Sequence, residues 1–428
     1  VSQQRSFIES MPGREDLRAV PAAVDGRRLR ILFLNHNVVR AGGTYYRAFD
    51  CAKHLVRRGH SVTLMAISQD SRWRKTTEYC EGVEIIHTPD WFWGIGRTGW
   101  DPWDTLVRTR IAAREDWDLI HAWDSRPAVI LPALVARAVA RKKTKLVVDW
   151  SDWWGRGGTQ SERGGGWTRY LYNAIETFFE EAFRRSADGA TVISTALRDR
   201  AIRLGVPPES IRILLQGCDE VTLPATERDA AKKELGSLGY STGERLFITI
   251  GVLNTSDAAL LFDVIRAVRR EMPAARFAIL GRIRSRVPAD LLENGVEQVG
   301  YVPDDVLSLY MAAAEALIVP LADTISNRGR WPSRVNLALS RGVPVVVSRV
   351  GDLPHLLDRE GAAFVADPDV AGLARAIVHE ATDTKAAAAV VAAGSRVAAE
   401  LLPWPEVIAG LEKFYYEVLG SAGSALAR

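Results

Sequence analysis

The residues of this chain best suited to chemistry lie in one cationic passage, Asn327-Arg-Gly-Arg-Trp-Pro-Ser-Arg334. Arg330 and Arg334 carry fixed charge and forked donors that match phosphate oxygens. An apolar run over residues 316–321 precedes the passage and reads as a buried strand. Val335, Leu337, Ala338 and Leu339 then suggest a short buried helix, closed at Gly342, before a further strand at 345–347. A strand feeding a cationic loop that opens a helix is a candidate anion site, because the helix N-terminus offers unpaired N–H groups and partial positive charge. The plainer reading is a solvated basic loop. Its place after a strand in an α/β pattern favours a ligand.

Other candidates stand at strand ends. A strand at 118–122 contains His121 and runs into Trp123-Asp124-Ser125, and a strand at 145–150 ends in Asp149-Trp-Ser-Asp152-Trp153. Open α/β sheets hold ligands at such carboxyl ends, so Asp124, Asp149, Asp152 and His121 are site candidates. A satisfied buried histidine is an equally good account of His121. Near the N-terminus Gly42-Gly43-Thr44 follows a first strand and opens a helix. The glycines would let a ligand approach the backbone closely, or simply make a tight turn. The turn lacks the G-x-G-x-x-G spacing of dinucleotide enzymes.

The elements that must position these residues alternate along the chain. Strands are expected at 28–34, 61–67, 83–87, 118–122, 145–150, 190–194 and 211–215. A second run has strands at 246–251, 276–281, 296–300, 316–321, 345–347 and 361–365. Helices lie between them, and the chain ends in helices at 370–382, 385–402 and 406–419. The alternation implies an α/β fold of parallel sheets with right-handed crossovers. At 428 residues, two domains are expected. Residues 1–27 read as a tail, about 156–166 as a glycine-rich loop, and about 216–230 as the linker.

Composition narrows the function. With 55 basic and 52 acidic residues the net charge is +3, which gives no case for a nucleic-acid partner. Three cysteines, odd in number and far apart, suggest neither a disulfide framework nor a zinc site and suit a reducing, cytoplasmic setting. No apolar core of a signal peptide is expected near the N-terminus, and the longest apolar stretch, 127–136, is too short to span a bilayer. Many of the thirteen tryptophans fall between Trp73 and Trp167. The loop 91–103 would most simply be packing. Its rings could also stack on sugars or lie at a membrane surface beside Arg97, Arg108 and Arg110.

Four passages together resemble a known family. They are Gly42-Gly43-Thr44 with Arg58-Gly-His-Ser-Val62; residues 187–194 with 203–209 and Gln216-Gly-Cys-Asp219; residues 299–310 with 316–321; and residues 327–346, whose Arg330-Trp-Pro-Ser-Arg334 is similar to an R-W-P-x-K variant. In this order they resemble the retaining glycosyltransferases of family 4, over nearly all of the chain from Arg28 to about Leu419. The resemblance implies the GT-B fold, two Rossmann-like parallel-sheet domains facing across a cleft. It implies an acceptor-side domain over 28–217, a nucleotide-sugar domain over 218–402, and a last helix within 403–428 that returns to the first domain. The implied substrates are a nucleoside-diphosphate sugar and a glycan, lipid-linked or small-molecule acceptor, with no metal or other cofactor. The implied location is cytoplasmic, with peripheral contact at the inner membrane face as an option.

Site roles follow from the same likeness. Arg330 and Arg334 would stabilise the leaving diphosphate, and Asp152 or Asp149 would orient the acceptor hydroxyl or the sugar. Gly42, Gly43, Thr44, Gly251, Asn254, Gly281, Arg282 and Asn336 would line the donor; His121, Asp124 and Trp153 the acceptor. The chain departs from the family pattern in three places. Val252 and Asp257 stand where an Arg and a Lys would hold the diphosphate, Asn336-Leu337 where an acid is usual, and Ser151 where a histidine is usual. These departures give a rival reading, a non-catalytic GT-B subunit that binds a partner protein or a glycan. A DNA-modifying glucosyltransferase lacks the basic excess it would need.

Overall fold

The computed structural model describes residues 27–92, 98–162, 168–219, 228–240 and 245–420. Apart from Arg27, the expected tail lies outside these residues. So do positions 93–97 of the tryptophan-rich loop with Arg97, positions 163–166 of the glycine-rich loop, and positions 220–227 of the linker. The chain forms two compact units. One runs to Gln216 and takes in the chain again from Trp404; the other is Gly217–Pro403.

The first unit is built on eight strands: β1 (Arg30–Val38), β2 (Ser61–Ile67), β3 (Thr76–Cys80), β4 (Val83–Thr88), β5 (Leu119–Trp123), β6 (Lys145–Trp150), β7 (Gly189–Val192) and β8 (Ile211–Ile213). Their order is β3-β4-β2-β1-β5-β6-β7-β8. The buried strands are apolar on both faces, as strands covered by crossover helices must be. In β1, Ile31 and Phe33 join the core beneath the helix Gly43–Arg57, while Leu32 and Leu34 join the opposite core with Val129, Ile130 and Ala133 of the helix Pro127–Val139.

One strand departs from the expected all-parallel pattern. β3 pairs antiparallel with β4 across a two-residue turn, Glu81-Gly82, whose φ values are 51° and 78°. Positive φ at both turn residues matches the twist of a hairpin. Its sequence, Thr-Thr-Glu-Tyr-Cys, is exposed and polar, which suits a sheet edge and conceals it from a search for buried strands.

The helix Trp404–Gly420 covers the first unit's sheet. Trp404, Ile408, Leu411, Phe414 and Tyr415 are buried in the core that holds Phe33 and Trp123. The passage Arg58-Gly-His60 locks it there. Arg58 Nε and Nη2 donate to Glu412 Oε2 at 2.9 and 2.5 Å. His60 Nδ1 accepts from Leu29 N–H at 3.2 Å, which leaves the proton on Nε2, 2.7 Å from Glu412 Oε1.

The second unit has six parallel strands: β9 (Arg245–Leu253), β10 (Ala275–Ile283), β11 (Val296–Gly300), β12 (Ala316–Val319), β13 (Val345–Ser348) and β14 (Phe364–Ala366), ordered β11-β10-β9-β12-β13-β14. Its core gathers Phe247, Phe277, Ile279, Ile265, Val346 and Ile377. The expected helix 385–402 is two pieces, an α-helix Thr384–Arg396 and a π-turn Val397–Leu401. Several helices were not expected, among them Pro102–Ala112 and Asp352–Glu360. No helix among the described residues is long and apolar enough to cross a membrane.

Candidate functional site

In the second unit the strand order reverses between β9 and β12, and open α/β sheets bind ligands in the crevice outside such a switch point. β9 ends in Gly251-Val-Leu253, and the helix Thr255–Glu271 follows after Asn254, its N-cap residue. Asn254 is buried, and among the described residues its Nδ2 has no hydrogen-bond partner. Gly251 (φ 98°) lies beside Gly281 (φ 110°) of β10. A Cβ on Gly281 would fall 2.4 Å from the Gly251 carbonyl oxygen, so the two backbones pass too closely for any other residue.

From the other side, the loop after β12 brings the cations. Thr324 caps the short helix Ile325–Arg328. Trp331 is buried, and Pro332 precedes the helix Ser333–Ser340. Asp257, in the first turn of its helix, holds this loop. Its Oδ1 accepts from Ala322 N–H at 2.9 Å and Asn327 Nδ2 at 2.7 Å, and its Oδ2 is 3.8 Å from Arg330 Nη1. Arg330 Nη1 also donates to Asn327 Oδ1 at 2.9 Å. Arg334 Nη1 donates to the Ile250 carbonyl at 2.7 Å, while its buried Nε has no hydrogen-bond partner among the described residues. Burial lowers the Arg334 guanidinium to about 10, Asp257 acting against this and Arg330 adding to it. The cation is therefore short of counter-charge, a setting that an anion would relieve.

The structure thus gathers Gly251, Asn254, Gly281, Arg330 and Arg334. Arg282 is exposed on β10 next to Gly281. Asn336 leaves the donor group. It is buried, its Oδ1 accepts from Trp331 Nε1 at 2.8 Å and its Nδ2 reaches Gly217 O at 3.4 Å, so it braces the loop from behind. Asp257, counted from sequence as a lost cation, is the anchor of the cationic loop. An acid in the first turn of the helix, four residues past the end of β9, was the available signal.

In the first unit the order reverses between β1 and β5. Gly42 (φ 85°) is the N-cap residue of the helix Gly43–Arg57, and a Cβ there would strike Asn37 Nδ2. Gly42 and Gly43 are exposed; Thr44 is buried, its carbonyl bound by Asn35 Nδ2 at 2.9 Å. Asp124 (φ 115°) directly follows β5, and its Oδ1 accepts from Ser125 N–H at 2.5 Å. His36 Nδ1 and Arg126 Nε stand 3.2 and 3.3 Å from Asp124 Oδ2. Burial works against its charge, yet His36 and Arg126 hold the carboxyl below its usual range.

Two predicted site residues belong to the interior instead. Asp149 is 1 % exposed, 3.3 Å from Arg47 Nη2, and accepts from Thr191 Oγ1 at 2.6 Å. His121 has no exposed surface. Its ring nitrogens meet Tyr415 Oη at 2.6 Å and Thr191 Oγ1 at 3.1 Å, and burial, with Arg47, drives its pKa well below the usual value. Asp149 and His121 form one closed network with no surface to offer a ligand. Asp152 and Trp153 lie past β6 and are partly buried. Trp153 Nε1 donates to Arg156 O at 2.9 Å, and the Arg200 guanidinium lies 4.4 Å from its ring. Arg108, expected beside a membrane-facing loop, is wholly buried on Asp104 at 2.7 Å. Among the described residues no three His, Cys, Asp or Glu side chains cluster as a metal site requires.

Sequence reasoning passed over Glu180. It accepts from Trp150 Nε1 at 3.0 Å, Trp154 N–H at 2.9 Å and Gly155 N–H at 2.5 Å, and pairs with Arg200 at 3.2 Å. It fixes the loop that carries Asp152 and Trp153.

Comparison with known proteins bears on both units. Residues 42–217 match the family described as glycosyl transferase 4-like domain, and residues 244–383 match glycosyl transferases group 1. Among curated proteins no sequence matches. Solved structures that resemble the chain include sucrose-phosphate synthase from Thermosynechococcus elongatus, 16% identical, with a TM-score of 0.65 over 92% of this chain and 100% of that one. The Anabaena protein HepE, in complex with UDP-glucose, is 17% identical, with a TM-score of 0.61 over 93% and 100%. The catalytic domain of Arabidopsis thaliana starch synthase IV, bound to ADP and acarbose, is 14% identical, with a TM-score of 0.65 over 92% and 100%. At these identities the structures speak for the fold.

Proposed function

Because the chain belongs to the family 4 glycosyltransferases, pairing a 4-like domain with a group 1 domain, we propose that Arg330 and Arg334 hold the diphosphate of its nucleoside-diphosphate sugar. The observation that carries this reading is the pair of guanidinium groups at the β9/β12 switch point, one of them buried and short of counter-charge. HepE with UDP-glucose and starch synthase IV with ADP support a nucleotide ligand by likeness.

The sugar is transferred with retention to a glycan, lipid-linked or small-molecule acceptor. The bond from the anomeric carbon to the diphosphate breaks, and its electron pair stays on the phosphate oxygen. The acceptor oxygen bonds to the same face of that carbon, and its proton passes to the departing phosphate. Charge grows on the diphosphate as the bond stretches, and fixed donors aimed at that charge are worth roughly 3 kcal/mol each. Arg330, Arg334, Asn254 Nδ2 and the first N–H groups of the helices Thr255–Glu271 and Ser333–Ser340 supply them. Arginine in this reading takes the place of a metal, and no other cofactor is called for. Asp152 orients the acceptor hydroxyl.

A second reading, a non-catalytic subunit, is favoured by Asp257, whose carboxylate partly offsets Arg330, and by Val252, which is exposed and uncharged. A thermal-shift screen with UDP, GDP, ADP, TDP and their sugars separates the two. A ligand at a hundred times its dissociation constant adds about 2.7 kcal/mol. One nucleotide is expected to stabilise the wild type and to leave R330A/R334A unchanged. No response to any nucleotide would make the non-catalytic reading the better one.

A cytoplasmic location with peripheral membrane contact completes the proposal. Exposed Trp73 and Trp91, their rings 6.0 Å apart, lie beside exposed Arg72, Arg74 and Lys75, a composition suited to an anionic interface. Failure to bind anionic vesicles at low salt would remove that contact.

A further inference from the structure

The helix Pro127–Val139 departs from the pattern of a surface helix. Arg137 is the only polar side chain among its 13 residues, so it is apolar all round, as a helix buried on every side would be. Only one of its faces is covered. Val129, Ile130, Ala133 and Ala136 join the core, while Val135 and Val139, one turn apart, are 39 % and 55 % exposed. Arg137 leans toward Asp188, 3.4 Å away, which offsets its charge.

Two neighbouring helices continue the surface. Thr168–Ala182 presents Leu171, Ile175 and Phe178, spaced along one helical face and 63 %, 39 % and 56 % exposed. Between residues 170 and 178 its one charged side chain, Glu176, is buried. Phe179 and Phe183 pack on the core that holds Val129 and Ala133, and the Phe178 ring lies 5.8 Å from that of Phe183, which brings the two apolar faces together. The helix Pro102–Ala112, packed on the same core through Ile111 and Ala112, exposes Leu106. Its start meets the exposed aromatics: Trp103 Nε1 donates to Trp73 O at 3.4 Å, and the cap residue Asp101 accepts from Phe92 N–H at 3.1 Å. Soluble monomers rarely leave so extended an apolar surface uncovered.

The charge along its edge says what covers it. Pro102–Ala112 and Pro127–Val139 both end at the edge of the sheet where β5 and β6 begin. Arg110 and Arg114 stand at the end of the first, Arg141 and Lys143 just past the second. All four are exposed, and among the described residues their side chains make no ion pair. The acids nearby are engaged: Glu115 pairs with Arg30 at 2.5 Å and Asp118 with Lys142 at 3.1 Å. An apolar surface edged by unpaired cations complements the boundary of an anionic bilayer, in which acyl chains lie beneath headgroup phosphates.

We propose that the outer face of these three helices lies on an anionic membrane, with Val139, Leu171 and Phe178 among the acyl chains and the four cations on headgroup phosphates. This rests on the reading of peripheral membrane contact given above and not on the transfer reaction.

The test sediments the full chain with sucrose-loaded vesicles, one set of phosphatidylcholine and one of phosphatidylcholine mixed three to one with phosphatidylglycerol. The wild type is expected to bind the mixed vesicles at low salt, to bind the neutral ones far more weakly, and to be released as salt rises. V139S/F178S and R141E/K143E alter exposed side chains only, and each is expected to weaken binding about tenfold or more. Binding that either variant leaves unchanged overturns the proposal, and its loss in W73S/W91S would then confine the contact to the aromatics. A wild type that binds no vesicles overturns both this face and the aromatic contact. Self-association in place of vesicle binding, removed by V139S/F178S, overturns the proposal and assigns the face to a second copy of the chain. The nucleotide screen judges the transferase reading separately from all of these.

Discussion

Asp257 shows how one side chain can mislead when judged by charge alone. A carboxylate near a diphosphate ought to repel it, yet this one ties down Ala322 and Asn327 and so fixes the loop of Arg330. D257A is therefore expected to weaken nucleotide binding about tenfold, measured by calorimetric titration, although it removes a negative charge. Stronger binding would mean that repulsion dominates. Gly281 makes a second residue-scale case. G281A would place a methyl group 2.4 Å from the Gly251 oxygen on a backbone with φ 110°, and should cost about 3 kcal/mol or more by urea unfolding. The arginines and glycines of the second unit were legible in the sequence because their chemistry follows from type and position after a strand. Asn336, Asp149 and His121 were not, because proximity to a strand end does not say whether a side chain points outward or into the core.

At the scale of elements, the last helix is held by a charged contact as well as by its apolar face. Glu412 receives both Arg58 and His60, and all but Arg58 are buried. E412A leaves those partners uncompensated and is expected to destabilise the first unit by roughly 3 kcal/mol in urea unfolding, whereas E412Q, which keeps an acceptor, should cost less. Equal losses would mean that hydrogen bonding contributes little beyond charge. The passage Arg58-Gly-His60 was visible as a motif, but its partner lies more than 350 residues away and only the fold identifies it. Apolar parallel strands were legible because burial on both faces leaves a continuous apolar run. The helix Pro102–Ala112 was hidden at the end of the tryptophan-rich loop, although Asp101 before Pro102 is a capping signal: Asp101 Oδ1 accepts from Trp103 N–H at 2.7 Å. β3 was hidden by polarity.

Across the whole molecule, separate cores make separate responses. Glu380 is buried in the second unit, and burial, with Glu315 adding to it, raises its pKa from 4.5 to about 7, against the pull of Arg228 and Arg245. The folded state holds this proton more tightly than the unfolded chain. Its contribution is complete below pH 4.5 and is lost as pH rises through about 7. The second unit should therefore be less stable at pH 8 than at pH 5 by up to about 3 kcal/mol, and E380Q should remove that difference. Calorimetry at the two pH values checks this. An E380Q profile that keeps the wild-type pH dependence would assign the effect elsewhere. The two-unit plan was legible from the repeated alternation of strands and helices, which reports on sheets independently of side-chain detail.

The order in which the chain leaves the ribosome gives the returning helix one more consequence. The first unit is begun before the second but is finished after it, since the helix Trp404–Gly420 emerges only when Gly217–Pro403 is already out. Throughout that interval the face of Phe33, Trp123 and Ala52 lacks its cover. The nascent protein thus carries an open apolar surface while the whole second unit is made, and the first unit waits on residues that follow the second to close.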